Sequence, residues 1–320
     1  MKNHARTLLA VLFLAGSAWG QAPAPQAADS GAMGKVTMER LLLADATRTG
    51  NRVVAVGDRG YIVYSDDNGA TWKRAKAPAA PLLTAVDFLD AKNGWAVGHD
   101  SVILATTDGG ETWAQQFSAP SEQRPLLDVL FLSPSQGFAI GAYGAFYETS
   151  DGGKSWNARK VIADDKHLNA ILKLADGKLM ILGEAGTVLV STDSGKAWTV
   201  LPSPYKGSFF GGVTADDGGV VAFGLRGRIY RSADAGKTWK QIDNASVATL
   251  MGGSRLPAGA LVIAGAAGTV LVSRDQGHSF VPLPTGSNRA FSKALLGAPN
   301  SLLLVGEVGA RDVALPSPPR

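Results

Sequence analysis

Along most of the chain, short apolar runs of about five residues alternate with glycine- and aspartate-rich punctuation, and after the first twenty residues no segment sustains a 3.6-residue apolar period. That pattern predicts short strands and tight turns. A representative stretch from Leu83 reads LTAVDFLD, then GWAVG, VILAT and TWAQQF, each run rich in β-branched or aromatic residues and bounded by Gly or Asp.

The punctuation repeats. SDDNGATW begins at Ser65, TTDGGETW at Thr106, TSDGGKSW at Thr149, STDSGKAW at Ser191, SADAGKTW at Ser232 and SRDQGHSF at Ser273. Their third-position acids, Asp67, Asp108, Asp151, Asp193, Asp234 and Asp275, follow at steps of 41, 43, 42, 41 and 41 residues. A second marker precedes each copy, as VGDRG to Gly60, VGHDS to Ser101, IGAYG to Gly144, LGEAG to Gly186, FGLRG to Gly227 and AGAAG to Gly268. A seventh, VGEVG to Gly309, keeps the step without the acid turn.

Four strands in each of seven repeats of this length predict an all-β, seven-bladed β-propeller with four-stranded antiparallel blades, a β-solenoid being the competing architecture. The acid turn is expected between third and fourth strands. Its Asp would accept backbone N–H groups two or three residues ahead, its fifth-position Gly would take positive φ, and its Trp would bury between blades. Copy four has Ala197 in place of the hydroxyl and copy six Phe280 in place of Trp, the tolerance of a structural turn. A calcium loop is disfavoured, because no distal bidentate Glu follows.

The pattern S/T-x-D-x-G-x-T/S-W is the Asp-box, and the chain resembles Asp-box (BNR-type) propellers along nearly all its length beyond the leader. With seven tandem repeats and phrases such as VAVGDRGYIVYSDDNGATW, it is similar to the bacterial relatives of the photosystem II stability and assembly factor. That resemblance implies an assembly or scaffold function with no chemistry of its own.

Composition refines this picture at the N-terminus. Lys2 and Arg6, the apolar run Leu8 to Ala15 and the small-x-small site at Ala18-Trp19-Gly20 predict a cleaved export signal over residues 1–20, too short to span a bilayer. Residues 21–34 read as a flexible linker, and 35–320 as the propeller. The expected location is periplasmic or secreted. Without Lys2 and Arg6 the charge falls from +4 to +2, which points away from nucleic acid. The chain has no Cys, so no disulfide, thiolate metal site or Cys-linked lipid anchor is expected. Blade seven runs out before a fourth strand, which residues from about Ser30 to Thr37 are expected to supply.

Propeller topology puts the acid turns on one face and, on the other, the second-to-third turns with the inter-blade connections. Candidate partner-binding residues on that other face are Arg40, Arg59, His99, Arg124, Tyr143, Lys166, Lys206, Arg226 and Arg289. Basic residues near the channel mouth in five of the seven blades suit an acidic or carboxylate-bearing protein partner, such as a subunit of a membrane-associated complex, bound by a monomer that is not itself membrane-integral. The family is similar in carrying an arginine-rich patch. The competing reading is a set of solvated charges offset by Asp58, Asp100, Glu184 and Glu307.

An Asp-box glycoside hydrolase or sialidase is the enzymatic alternative. Ser254-Arg255-Leu256-Pro257 only approaches the Phe-Arg-Ile-Pro motif that sialidases share, and it falls in the wrong blade. Asp58, Asp100, Glu184 and Glu307 share a face, with Asp164-Asp165 nearby, so a carboxylate pair is conceivable there. No catalytic residue, metal site or cofactor is assigned; His99 and His167 stand apart from other ligand types.

Overall fold

The computed structural model describes residues 38–315; the expected signal 1–20, the linker 21–34 and the closing segment Ser30 to Thr37 lie outside the described residues. Within them, 27 strands form seven antiparallel sheets, six of four strands and one of three. In every sheet spatial order follows chain order. Blade one comprises Leu43–Thr49, Arg52–Gly57, Ile62–Ser65 and Lys73–Arg74, and blades two to six repeat it. Blade seven has Phe291–Leu296, Ser301–Gly306 and Gly309–Ala314, as the repeat spacing predicts.

Seven apolar clusters fill the seven seams between blades. One joins Val54, Tyr64 and Ala75 of blade one to Leu83, Leu104 and Trp113 of blade two. Another joins Leu295, Leu303 and Val305 of blade seven to Leu43, Val53 and Val63 of blade one, closing the ring. The second strand of every blade is buried along its whole length or all but its first residue, which explains why these strands read as unbroken apolar runs rather than alternating ones.

The acid turn is a hydrogen-bonded knot. In copy two Thr106 Oγ1 donates to Asp108 Oδ1 at 2.8 Å, while the amides of Glu111 and Thr112 donate to the same oxygen at 3.0 and 2.9 Å. Thr112 Oγ1 donates to Oδ2 at 2.5 Å, and the Gly110 amide returns to Thr106 Oγ1 at 3.0 Å. The carboxylate therefore reaches amides three and four residues ahead, one further than the sequence reading expects. Two successive left-handed residues cause the extra reach: in copy one Asn68 and Gly69 have φ of 60 and 93°.

The marker glycines answer to crowding. A Cβ on Gly186, Gly227 or Gly268 would sit 1.9, 2.1 or 1.8 Å from a carbonyl oxygen of the following inter-blade connection. Copy two has Ser101 there instead, fully buried, and its hydroxyl donates to the connection's Arg124 carbonyl at 2.8 Å.

Candidate docking face and central tunnel

On the face opposite the acid turns, the second-to-third connection of blades one to five is a single 3-10 turn whose middle residue is left-handed. Arg59, Asp100, Tyr143, Ala185 and Arg226 have φ between 51 and 57°. The turn is pinned on both sides: in blade three the Ala142 amide donates to the Pro125 carbonyl and the Gly144 amide to the Lys166 carbonyl, both at 2.9 Å. A left-handed non-glycine residue costs about 1 kcal/mol or more. The rigid frame thus holds one outward side chain per turn, Arg59, Tyr143 and Arg226 on blades one, three and five, all exposed.

All nine residues singled out in the sequence are at least partly exposed. Several have acidic neighbours. Arg59 lies 3.5 Å from Asp58, Arg124 3.8 Å from Glu122, Lys166 3.0 Å from Asp164 and Arg289 3.9 Å from Glu307. Exposed pairs of this kind contribute about 0–1 kcal/mol and leave the cations available. Arg40, Lys206 and Arg226 have no carboxylate within 4.0 Å among the described residues. Tyr143 packs edge-on against His167 at 5.0 Å, and the His167 amide donates to Glu184 at 3.1 Å.

The structure distributes these residues among separate hollows. Arg124 and Tyr143 line a cavity of about 340 Å³ with Arg159 and Lys160, two cations the sequence reading did not single out. Arg226 lines a second, of about 290 Å³, with Arg228 and Val247. Val247 is 85% exposed, an apolar tip beside the two arginines.

None of the nine lines the central tunnel, whose cavity of about 480 Å³ is walled by the first strands. Each first strand carries a bulge at its start or one residue in. Leu127, Phe210 and Met251 stand at the bulge and make the mouth partly apolar. One residue further lie Asp45, Asp128 and Lys293, with Lys293 Nζ 3.3 Å from Asp45 Oδ1. Burial pushes Asp128 up to about 7 and Asp87, two positions deeper in blade two, up to about 6. Burial opposes the charge on Lys293, but Asp45, Asp128 and Asp87 together outweigh it and raise its pKa.

These tunnel groups lace blade to blade. Asp45 accepts the Val86 amide at 3.1 Å and Asp128 the Ile171 amide at 2.8 Å. Thr84, Asn169 and Ser292 donate to the carbonyls of Leu126, Phe209 and Leu43 at 2.6, 2.7 and 2.8 Å. Between blades five, six and seven glycines replace the laces; a Cβ on Gly252 would lie 2.1 Å from the Ser292 carbonyl. The tunnel's polar groups are therefore structural. Aligning the seven first strands by their leading Leu or Phe would have exposed them in the sequence.

Comparison with known proteins places this geometry among relatives. The family model described as photosynthesis system II assembly factor YCF48 matches residues 72–124 and 115–262, and the BNR/Asp-box repeat model matches 63–74. The chain is 45% identical over 47 residues to the chloroplastic photosystem II stability/assembly factor HCF136 of Cyanidioschyzon merolae, 14% of this chain and 11% of the relative. Over 64 residues it is 34% identical to the photosystem II assembly lipoprotein Ycf48 of Prochlorococcus marinus, 19% of each chain. The matched segments thus span less than a fifth of either relative's length. A solved structure, YCF48 bound to D1 peptide, superposes with a TM-score of 0.67 at 21% identity, covering 87% of this chain and 93% of that one. No helix among the described residues is long and apolar enough to cross a membrane.

Proposed function

Because the chain belongs to the photosynthesis system II assembly factor YCF48 family, we propose that it is an exported, non-enzymatic scaffold that helps to assemble or stabilise a membrane-associated complex. The docking surface is the face bearing Arg59, Arg124, Tyr143 and Arg226. The observation that carries this reading is the display of Arg59, Tyr143 and Arg226 from pinned, left-handed turns on alternate blades. Side chains held in fixed positions lose little entropy on binding, and exposed guanidinium groups suit bidentate recognition of carboxylates. The partner is an acidic or carboxylate-ended protein segment.

No catalytic step is assigned to this face. Asp58 and Glu307 lie beside Arg59 and Arg289, and Glu184 accepts the His167 amide, so each of these carboxylates has a local partner of its own.

The D1 peptide, bound by the superposed relative, is the first probe. Titrated against this chain, it is expected to bind, and the quadruple variant Arg59→Glu, Arg124→Glu, Arg226→Glu, Arg289→Glu is expected to lose at least tenfold in affinity at unchanged Tm. Equal binding by the variant would overturn the docking face. Absence of binding by the unaltered chain, to this peptide and to an acidic peptide of the same length, would overturn the function.

A further inference from the structure

The connection from blade two to blade three is built unlike the others. It runs from Ser118 to Pro125, and of the connections between described blades it alone contains a 3-10 turn, Pro120–Glu122. Pro120 fixes φ at the start of the turn, and Gln123 leaves it left-handed at φ of 51°. The Ala119 amide donates to the Asp100 carbonyl at 2.9 Å, and Ser101 holds the Arg124 carbonyl from the other side. Glu122 and Arg124 are thereby carried on a tethered segment beside blade three.

Glu122 meets a hydroxyl set in an otherwise apolar row. Tyr147 is the second residue of the third strand of blade three, a place held by Val63, Leu104, Leu189 and Leu271 in blades one, two, four and six. Tyr147 is 2% exposed, packs on Phe117 with ring centres 5.0 Å apart, and donates its hydroxyl to Glu122 Oε2 at 2.6 Å. A hydroxyl donating to a carboxylate makes a short, charge-assisted bond. Arg124 Nη1 lies 3.8 Å from the same oxygen, outside hydrogen-bond reach. Glu122 thus has one firm tie and one loose one.

Tyr147 and Arg124 also line the cavity of about 340 Å³ described above, together with Arg159 and Lys160. Arg159 is engaged by the Glu148 carboxylate and by the carbonyls of Gly195 and Lys196. Lys160 is exposed and has no ion-pair partner among the described residues. One hollow therefore carries a buried hydroxyl donor, a guanidinium that is not hydrogen-bonded to its carboxylate neighbour and a free ammonium.

Resting on the docking role given to this face, we propose that Tyr147 and Arg124 form a carboxylate-binding site that Glu122 fills in this structure, and that a carboxylate of the partner segment takes it over by displacing Glu122. The exchange keeps the Tyr147 bond. A carboxylate entering through the cavity can also close on Arg124 bidentately and meet Lys160, contacts that Glu122 does not make. Glu122, already partly exposed, is released to solvent. A neutral segment has nothing to offer Tyr147 in exchange, so the internal carboxylate also selects partners by charge.

Two probes separate the possible sources of the carboxylate: a hexaglutamate peptide amidated at its C-terminus, and a hexaglutamine peptide with a free C-terminus. In calorimetric titrations Glu122→Gln is expected to bind at least one of them about threefold or more tightly than the unaltered chain. Asp58→Asn, which frees Arg59 on the same face without uncovering a buried hydroxyl, is expected to change affinity less. Tyr147→Phe added to Glu122→Gln is expected to remove the gain, with Tm showing that the double variant is folded. Equal effects of Glu122→Gln and Asp58→Asn would reduce the gain to the overall charge of the face, and a gain that survives Tyr147→Phe would take the hydroxyl out of the site. Either result overturns the inference, as does binding of neither probe by any variant. If the quadruple variant loses affinity for the D1 peptide while Glu122→Gln changes the binding of no probe, the docking face stands and this site does not.

Discussion

Lys293 and Asp45, separated by 248 residues in the chain, form an ion pair of 3.3 Å across the seam between the last blade and the first. Beside it Ser292 donates to the Leu43 carbonyl and Arg48 to the Leu296 carbonyl at 2.6 Å, so first-strand and neighbouring contacts close the ring without an outer strand. Both charges are mostly withdrawn from solvent, with side-chain exposures of 26 and 16%. Removing one partner leaves the other uncompensated. Lys293→Met is expected to lower stability by about 2–3 kcal/mol, somewhat below the fully buried case. Adding Asp45→Asn should recover part of the loss, as read from denaturant midpoints of the single and double variants.

The tunnel carboxylates set a pH dependence of opposite sign to that of the acid turns. Burial raises Asp87 to about 6 and Asp128 to about 7, against about 4 in the unfolded chain. The folded state then holds protons that the unfolded state has lost, so these two groups remove stability as pH rises from about 4 to about 7. Lys293 and Asp45 face both groups. In the acid turns Asp67, Asp108, Asp151 and Asp234 are held down at about 2 by the hydroxyls and amides they accept, burial opposing this, and most strongly at Asp108. Their contribution is complete above about 4 and disappears as pH falls toward 2. Tm is therefore expected to be highest near pH 4–5 and to decline toward neutrality, and Asp128→Asn is expected to flatten the decline between pH 5.5 and 7.5. A Tm that climbs steadily to pH 7 would contradict this assignment.

Legibility in the sequence follows the range of the interactions. The acid turn is satisfied within a few residues, so its bonds write themselves into a local pattern from which blade number and strand spans can be read. Blade seven carries the marker without an acid turn, because Gly306 is crowded by the Ala290 carbonyl and the Gly309 amide donates to Leu41. Asp45, Asp128 and Lys293 carry no local signal. Each sits one residue past a bulge in a different blade, and only ring closure brings them together. The docking face was legible as to its loops, since topology assigns them, but not as to its hollows: Arg159 and Lys160 follow an outer strand and reach Arg124 and Tyr143 only across the blade edge.

Copy four tests the acid turn by gain as well as loss. Asp193 accepts the Ala197 amide at 2.9 Å but lacks the hydroxyl bond made by Thr112 to Asp108. Ala197→Thr should restore it and raise Tm. Asp108→Ala strips four donors at once and is expected to cost about 1–3 kcal/mol. Thermal melts at pH 7 and again at pH 2.5 would separate the causes, because the gain from the new hydroxyl should shrink as pH falls below about 4, where the unfolded carboxyl takes up its proton.

The marker position offers the sharpest contrast between crowding and bonding. A Cβ on Gly186 would lie 1.9 Å from the Tyr205 carbonyl oxygen at φ of 74°, so Gly186→Ala must displace the connection entering blade five and also adopt a strained backbone. A loss of about 2–4 kcal/mol is expected. At the equivalent position in blade two, Ser101 has φ of 51° and turns the same proximity into a hydrogen bond to the Arg124 carbonyl. Ser101→Gly should relieve the backbone while losing that bond, leaving stability within about 1 kcal/mol of the parent. Because the connection bearing Arg124 is anchored by this hydroxyl, the same variant is expected to weaken binding of an acidic peptide severalfold. Tm and peptide affinity measured on one preparation distinguish the two effects: a large fall in Tm with unchanged affinity would show that Ser101 holds the blade rather than the docking loop.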